Sequence, residues 1–242
     1  MTSIPRADAK FERVEKKFWL TAGQYRELLP VLDARMRETR YGTSAVCNIY
    51  YDTLDYALIR RSIKRPLFKE KLRLRSYGIP TEDSTVYVEI KRKLNGIGYK
   101  RRVSLPFAEA KRLLRGEPVP CGDPQIEEEI LAFVRRYHPK PMVCLTYRRT
   151  AMTDKDDPEF RVTFDRELRY RLCDPEHPDG DGMQPIMEDD SMILMEIKAL
   201  GAIPRWLTDE MSRLHIYQAP FSKIGTCYTL HIAPMKNDSL KG

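Results

Sequence analysis

Several familiar signatures of nucleotide and hydrolytic chemistry are missing from this sequence. It has no GxxxxGK[ST] loop, no GxGxxG after a strand pattern, no GxSxG and no HExxH. That removes the P-loop, the dinucleotide-binding turn, the nucleophile elbow and the zincin helix as sources of chemistry. Histidine is scarce, and His138, His177, His215 and His231 show no ligand spacing. They fall near helix ends, loops or the final apolar segment and read as structural or surface residues. The five cysteines (Cys47, Cys121, Cys144, Cys173 and Cys227) are odd in number, scattered and never in CxxC spacing. This argues for reduced thiols and a cytosolic setting. No signal-peptide core precedes the first charges, and no apolar run approaches membrane-spanning length, so a soluble protein is expected, one still able to dock on a membrane partner.

What the chain does have is positive charge, with a formal net charge of +7 over 242 residues. Such a balance suggests an anionic partner and leaves nucleic acid, acidic lipid and phosphorylated small molecules open. The charge is most ordered from Lys69 to Arg102. Lys69, Lys71, Arg73 and Arg75 occupy alternate positions opposed by Leu72 and Leu74, which predicts a strand with a cationic and an apolar face. Thr85 to Lys93 alternates in the same way, with Tyr87, Glu89, Lys91 and Lys93 on one side and Val86, Val88 and Ile90 on the other. Asn95-Gly96 then predicts a tight hairpin into a third strand carrying Lys100 and Arg102.

Two readings of this face stand side by side. A solvated basic face is the ordinary outcome for a charge run. The alternative is that the apolar sides pack on an outer layer of helices while the polar sides face inward onto a phosphate-bearing ligand. Arginine at positions 73 and 75, where lysine would serve equally for solubility, favours the second, because the planar guanidinium grips phosphate oxygens better. Aromatics that could act as stacking platforms among these basics are few (Tyr77, Tyr87 and Tyr99), so no nucleic-acid partner is expected.

In chain order, residues 1–10 read as a loose leader and residues 11–20 as a strand with Arg13, Glu15 and Lys17 on its polar side. Thr21 is a candidate N-cap for a helix reaching about Asp33. Residues 44–52 read as a strand and residues 53–61 as a short helical turn. After the three basic strands, helices are expected at 107–115 and 125–137, the first ended by Gly116. Strands are expected at 142–152, 160–165, 167–173 and 191–199, with Met192 and Met195 as core filler. A polar loop at 174–185, a helix from Pro204 to about His215, a last strand at 226–232 and a tail at 233–242 complete the chain. No internal repeat is evident. The whole reads as one α+β domain over 11–232, with about eight antiparallel strands wrapped by four or five helices.

The chemistry then rests on isolated charges at strand positions. The basic candidates are Arg13, Lys17, Arg73, Arg75, Lys91, Lys100, Arg102, Arg149, Arg161 and Lys223, and the acidic ones are Glu15, Glu89 and Glu196. Glu89-Ile90-Lys91 and Glu196-Ile197-Lys198 share a local pattern in which carboxylate and ammonium point the same way. The plain reading of each is a cross-strand salt bridge.

Taken together, KFW, YYDT, KLRLRSYG, VEIKRK, YKRR, YRRTA, EFRVTFD, LMEIK and FSK, in this order from about Phe11 to Gly225, resemble the polyphosphate polymerase domain of the vacuolar transporter chaperone (VTC) family. That family lies within the CYTH or triphosphate tunnel metalloenzyme superfamily. The resemblance implies a closed antiparallel β-barrel tunnel with helices outside. It implies transfer of the γ-phosphoryl group of a nucleoside triphosphate such as ATP onto a growing polyphosphate chain, assisted by Mn²⁺ or Mg²⁺. By position it implies phosphate-gripping catalytic roles for Lys17, Arg73, Arg75, Lys91, Lys100, Arg149, Arg161 and Lys223, with Ser222, Arg13, Arg102, Glu89 and Lys198 among the substrate-binding residues. Glu196 would hold the metal, with Glu15 as the second candidate. The superfamily's ExExK signature is represented by Arg13, Glu15 and Lys17, so the first carboxylate is replaced by a cation and the number of metals stays open. Family members often work beside membrane proteins that export or sequester product, which implies a cytoplasmic enzyme at the periphery of a membrane complex. A hydrolase of the same fold and a non-catalytic polyphosphate-binding module are the alternatives.

Overall fold

The structure is a computed structural model that describes residues 13–64, 66–95, 97–173 and 182–238, without the side chains of residues 13, 40, 41, 237 and 238. The expected leader, part of the 174–185 loop and the end of the tail lie outside the described residues. The rest falls into two compact units, built from the described parts of 1–43, 150–166 and 191–220 and of 44–149, 167–190 and 221–242.

Among the described residues there are nine strands: β1 (Arg13–Leu20), β2 (Met36–Asp52), β3 (Phe68–Tyr77), β4 (Thr85–Leu94), β5 (Ile97–Pro106), β6 (Lys140–Asp154), β7 (Arg161–Leu172), β8 (Gln184–Pro185) and β9 (Ile193–Leu200). Hydrogen bonds join them in the order β1-β9-β7-β6-β2-β3-β4-β5, with β8 paired to β7. The pairings of β1 and β7 with β9, of β2 with β3 and of β4 with β3 and β5 are antiparallel. The antiparallel sheet with helices is therefore as expected, but among the described residues no pairing of β1 with β5 closes it into the expected barrel. β1 has a local reason to end it: its outer edge is occupied by a bridge between Phe18 and Gln218, and Lys17 O accepts the Ala219 N–H at 2.8 Å.

In the first unit, helix α1 (Ala22–Arg35) starts with a capping box in which the Thr21 hydroxyl accepts from Gln24 N and the Gln24 side chain returns to Thr21 N. This helix and the one at Arg205–Arg213 contribute Leu28, Leu32, Leu207 and Met211 to a core completed by Phe18, Phe160, Phe164, Met195 and Ile197. Met195 is core filler, as its sequence position suggests.

The second unit contains the basic strands. Leu72, Leu74, Val86, Val88 and Ile90 are all buried, and they pack with Ala110, Leu113, Ile130, Phe133 and Val134 of helices Phe107–Leu114 and Pro124–Tyr137. The first helix runs out at Gly116, whose φ of +95° favours glycine. The second begins at Asp123, whose carboxylate accepts the Ile126 N–H. The apolar sides of β3 to β5 thus lie under a layer of helices, as the inward-facing reading requires. Leu94 pairs with Ile97, and Asn95 has a φ of +49°.

Two expectations need correction. Residues 160–165 and 167–173 form one strand, β7, in which Glu167 adopts a φ of +54° and marks the irregularity that the sequence suggested as a break. The last segment is helical: Lys223–Cys227 is α-helix, Tyr228–Ile232 a π turn and Ala233–Asp238 α-helix again. Ser222 caps its start by accepting the Gly225 N–H at 3.3 Å, and Ile224, Cys227 and Ile232 are buried at helical spacing. A short apolar run such as this one does not distinguish the two periods by itself.

Candidate functional site

The register of the second unit aligns the polar faces of four strands into cross-strand rows. Asn48, Arg75, Tyr87 and Ser104 form one row, and Tyr50, Arg73, Glu89 and Arg102 the next. Lys71, Lys91 and Lys100 form a third. Neighbouring strands bring opposed residues within about 5 Å of each other, so each row juxtaposes its side chains.

At the centre lies a buried ionic triad. Arg73 is only 6% exposed and Glu89 is fully buried. Arg73 Nε donates to Glu89 Oε2 at 2.6 Å, Arg73 Nη2 is 2.5 Å from the same oxygen, and Lys100 Nζ is 2.8 Å from Oε1. Burial pushes the Glu89 carboxyl up, but Arg73, Arg75 and Lys100 outweigh it and hold the group at about 2. Burial disfavours the charge of Arg73 too, and Tyr50 and Glu89 more than restore it. Lys100 is held below the ordinary lysine value, by burial first and by the charges of Arg102 and Arg73, with Glu89 opposing. Its proton, and with it anion binding, is expected to be lost at a lower pH than for an ordinary lysine. A titration of tripolyphosphate affinity between pH 7 and 11, wild type against Lys100→Arg, checks this, since arginine stays charged throughout.

Around the triad, neutral groups set the guanidinium orientations. Arg73 Nη1 donates to Tyr50 Oη at 3.4 Å, and Arg75 donates to Asn48 Oδ1 at 2.9 Å and to Tyr147 Oη at 3.3 Å. Burial alone would raise the Tyr50 phenol, but Arg73, Lys71 and Arg75 bring it below its ordinary value. The Tyr147 ring also collects cations: Lys223 Nζ lies 4.8 Å and the Arg149 guanidinium carbon 5.2 Å from its centroid. Arg102 stacks over Tyr87 at 4.6 Å.

The second unit therefore brings Arg73, Arg75, Lys91, Lys100, Arg102, Arg149, Lys223 and Glu89 onto connected positions. Ser222 sits beside Lys223 and spends its hydroxyl on the helix cap. Glu89 directs both carboxylate oxygens at cations. Asn48, Tyr50 and Tyr147 were missed. The alternation of residues 44–52 put Asn48 and Tyr50 on one face, and Tyr147 stands two residues before Arg149 on the same strand; their being uncharged hid them. Tyr147→Phe is expected to weaken tripolyphosphate binding several-fold by freeing Arg75, leaving the melting temperature within a few degrees of wild type. Calorimetric titration and thermal melting check the two halves.

The first unit holds a separate mixed-charge group. Lys17 pairs in register with Glu196, Glu15 with Lys198, Arg161 with Lys198 and Thr163 with Glu196. Lys17 Nζ is 3.6 Å from Glu196 Oε1 and 3.9 Å from Glu15 Oε1. Glu196 is buried, whereas the Glu15 side chain is half exposed. Arg161 Nε donates to Pro158 O at 3.1 Å, and its Nη2 is 3.8 Å from Glu159. The backbone places Arg13 on the same face of β1 as Glu15 and Lys17. No cluster of three or more His, Cys, Asp or Glu suited to a metal occurs among the described residues. Glu196 and Glu15, which flank the Lys17 ammonium, are the two carboxylates here that would serve a hard divalent cation.

Of the described histidines, His138 ends its helix at a φ of +44°, and His231 stacks on Tyr170 and contacts Ile186 O at 2.9 Å. No described helix is long and apolar enough to cross a membrane.

Comparison with known proteins places this geometry. A family model for the VTC domain matches residues 12–232. Among solved structures, a putative adenylate cyclase from Bacillus halodurans is similar at 15% identity and a TM-score of 0.51, over 87% of this chain and 93% of that one. A putative adenylyl cyclase from Hippeastrum, described as having a dominant triphosphatase activity, is similar at 13% identity and a TM-score of 0.50, over 90% and 96%. At these identities the two structures show a shared fold. No curated protein sequence matches this one. With a family match spanning nearly all of its length, the chain belongs to the VTC domain family.

Proposed function

We propose that this protein is a polyphosphate polymerase that transfers the γ-phosphoryl group of a nucleoside triphosphate to the end of an inorganic polyphosphate chain. The observation that carries the reading is the cationic face of β3, β4 and β5, where braced guanidinium and ammonium groups recur at strand spacing. A polyphosphate repeats its negative charge along the chain and can neutralise such a series. Two unit charges about 6 Å apart repel by about 3 kcal/mol at an effective dielectric of 20, so the face favours a polyanion over isolated ions.

The chemistry asks for positioning and charge stabilisation, with no protein nucleophile. Arg73 and Arg75, fixed by Glu89, Tyr50, Asn48 and Tyr147, grip phosphoryl oxygens. Lys91, Lys100, Arg102, Arg149 and Lys223 neutralise the charge that shifts to the leaving nucleotide as the terminal phosphate oxygen attacks the γ-phosphorus and the β–γ bridging bond breaks. In the first unit, Lys17, Arg161 and Lys198 are a separate set of candidate phosphate contacts, with Arg13 beside them by its position on β1. Glu196, with Glu15, would hold Mn²⁺ or Mg²⁺, which when bound supplies further neutralisation of the phosphates.

Incubating the protein with ATP and Mn²⁺ or Mg²⁺ tests the proposal: labelled phosphate should accumulate as acid-labile chains. Release as free phosphate would identify a triphosphatase, and tight binding without turnover a polyphosphate-binding module. Glu196→Gln is expected to lower polymer formation at least a hundredfold while leaving tripolyphosphate binding without metal within a few-fold of wild type. Wild-type turnover in that variant would remove Glu196 from the metal role.

A further inference from the structure

Two of the five cysteines, 97 positions apart in sequence, meet in the second unit. Cys47 Sγ in β2 and Cys144 Sγ in β6 are 3.5 Å apart. Cys144 is buried, whereas Cys47 is half-buried and so the sulfur a small reagent reaches first. We propose that Cys47 and Cys144 form a reversible oxidation site, converted by a hydroperoxide into a disulfide that staples β2 to β6.

The geometry needs little adjustment. A disulfide requires the sulfurs to close from 3.5 Å to about 2.05 Å, a distance that side-chain rotation between neighbouring strands can supply. The surroundings also assign the order of events. The hydrogen bond with Cys144 is the largest influence on the Cys47 thiol, and with Ser76 and the charge of Arg171 it overcomes burial and lowers the thiol below its ordinary value. The hydrogen bond with Cys47, burial and nearby charge push Cys144 upward. Cys47, the half-buried sulfur that a small oxidant meets first, is thus the nucleophile, and Cys144, buried beside it, the resolving thiol. The Cys47 thiolate attacks one peroxide oxygen, the S–O bond forms, the O–O bond breaks, and the departing hydroxide is protonated to water. The Cys144 sulfur then attacks the sulfenyl sulfur of Cys47. The S–S bond forms, the S–O bond breaks, and the oxygen leaves as a second water carrying the Cys144 proton. Two electrons pass from the sulfurs to the peroxide. The next residue, Asn48, holds Arg75, so the bond would form one position from the cationic face.

The test uses the full chain treated with hydrogen peroxide, alkylated and digested with trypsin without reduction. Mass spectrometry should find residues 41–60 linked to residues 137–148, the link vanishing with dithiothreitol. Cys173→Ser should leave the link in place, and Cys144→Ser should leave a sulfenic acid at Cys47 that dimedone traps. Without oxidant, iodoacetamide at pH 7 should modify Cys47 about tenfold faster than Cys121. The proposal is overturned if peroxide leaves both thiols open to alkylation, or if the link joins Cys144 to Cys173. It stands or falls apart from the polymerase reading, because the readout is the bond itself.

Discussion

Arg73→Ala is expected to lower polyphosphate formation from ATP by two to three orders of magnitude, the loss seen when a fixed donor is taken from a developing charge. Arg73 sits in the middle of the cationic face, gripped from β4 by Glu89 and from β2 by Tyr50. Such bracing is what a phosphate-orienting guanidinium needs, because its direction is set before substrate arrives. The same variant strips a partner from a fully buried carboxylate, so it should also lose several kcal/mol of stability. The two effects are separated by Arg73→Gln combined with Glu89→Gln, in which neither charge is stranded. That double variant should recover most of the stability in urea unfolding and none of the polymerase activity. Recovery of both would reduce Arg73 to a structural partner of Glu89.

Glu89→Ala is expected to cost about 3 to 5 kcal/mol, the range for breaking a buried pair from one side. It leaves Arg73 without its main anion and Lys100 without its 2.8 Å contact. The pH dependence gives an independent check. An unfolded glutamate titrates near 4.5, and Glu89 is held at about 2 in the folded protein. Its contribution to stability is therefore complete above about pH 4.5 and drains away as pH falls through about 2. At about 1.4 kcal/mol per unit, the gap is worth on the order of 3 kcal/mol. Urea unfolding at pH 7, 4 and 3 should show wild type losing stability over this interval faster than Glu89→Gln. Parallel curves would mean that Glu89 is not held ionised by its neighbours.

The legible parts of this fold were those governed by local geometry. Alternation at period two separated the polar from the apolar faces of β3 and β4, because successive side chains in a strand point to opposite sides. Thr21 and Gly116 marked helix ends because orphan backbone groups and positive φ call for those residue types. The segment 223–232 misled, because isoleucine, threonine and tyrosine favour strands on their own while burial of Ile224, Cys227 and Ile232 favours a helix. The choice between a solvated and an inward-looking basic face was equally closed to sequence. Residues 73 and 89 are strongly buried, whereas Lys100 and Arg102 of β5 are exposed, so the answer differs along the face.

By itself the sequence determined the family, through motifs in order along the chain, and the periodicity of the strands and the residues sharing a face, which depend on neighbours within a few positions. Only the tertiary structure decided that Glu89 would be buried between Arg73 and Lys100, that Tyr147 would gather Arg75, Arg149 and Lys223, and that Cys47 would meet Cys144. The reason is physical: alternation fixes where a side chain points, but its partner depends on which strand lies alongside and in what register, and those are set by burial across the whole chain.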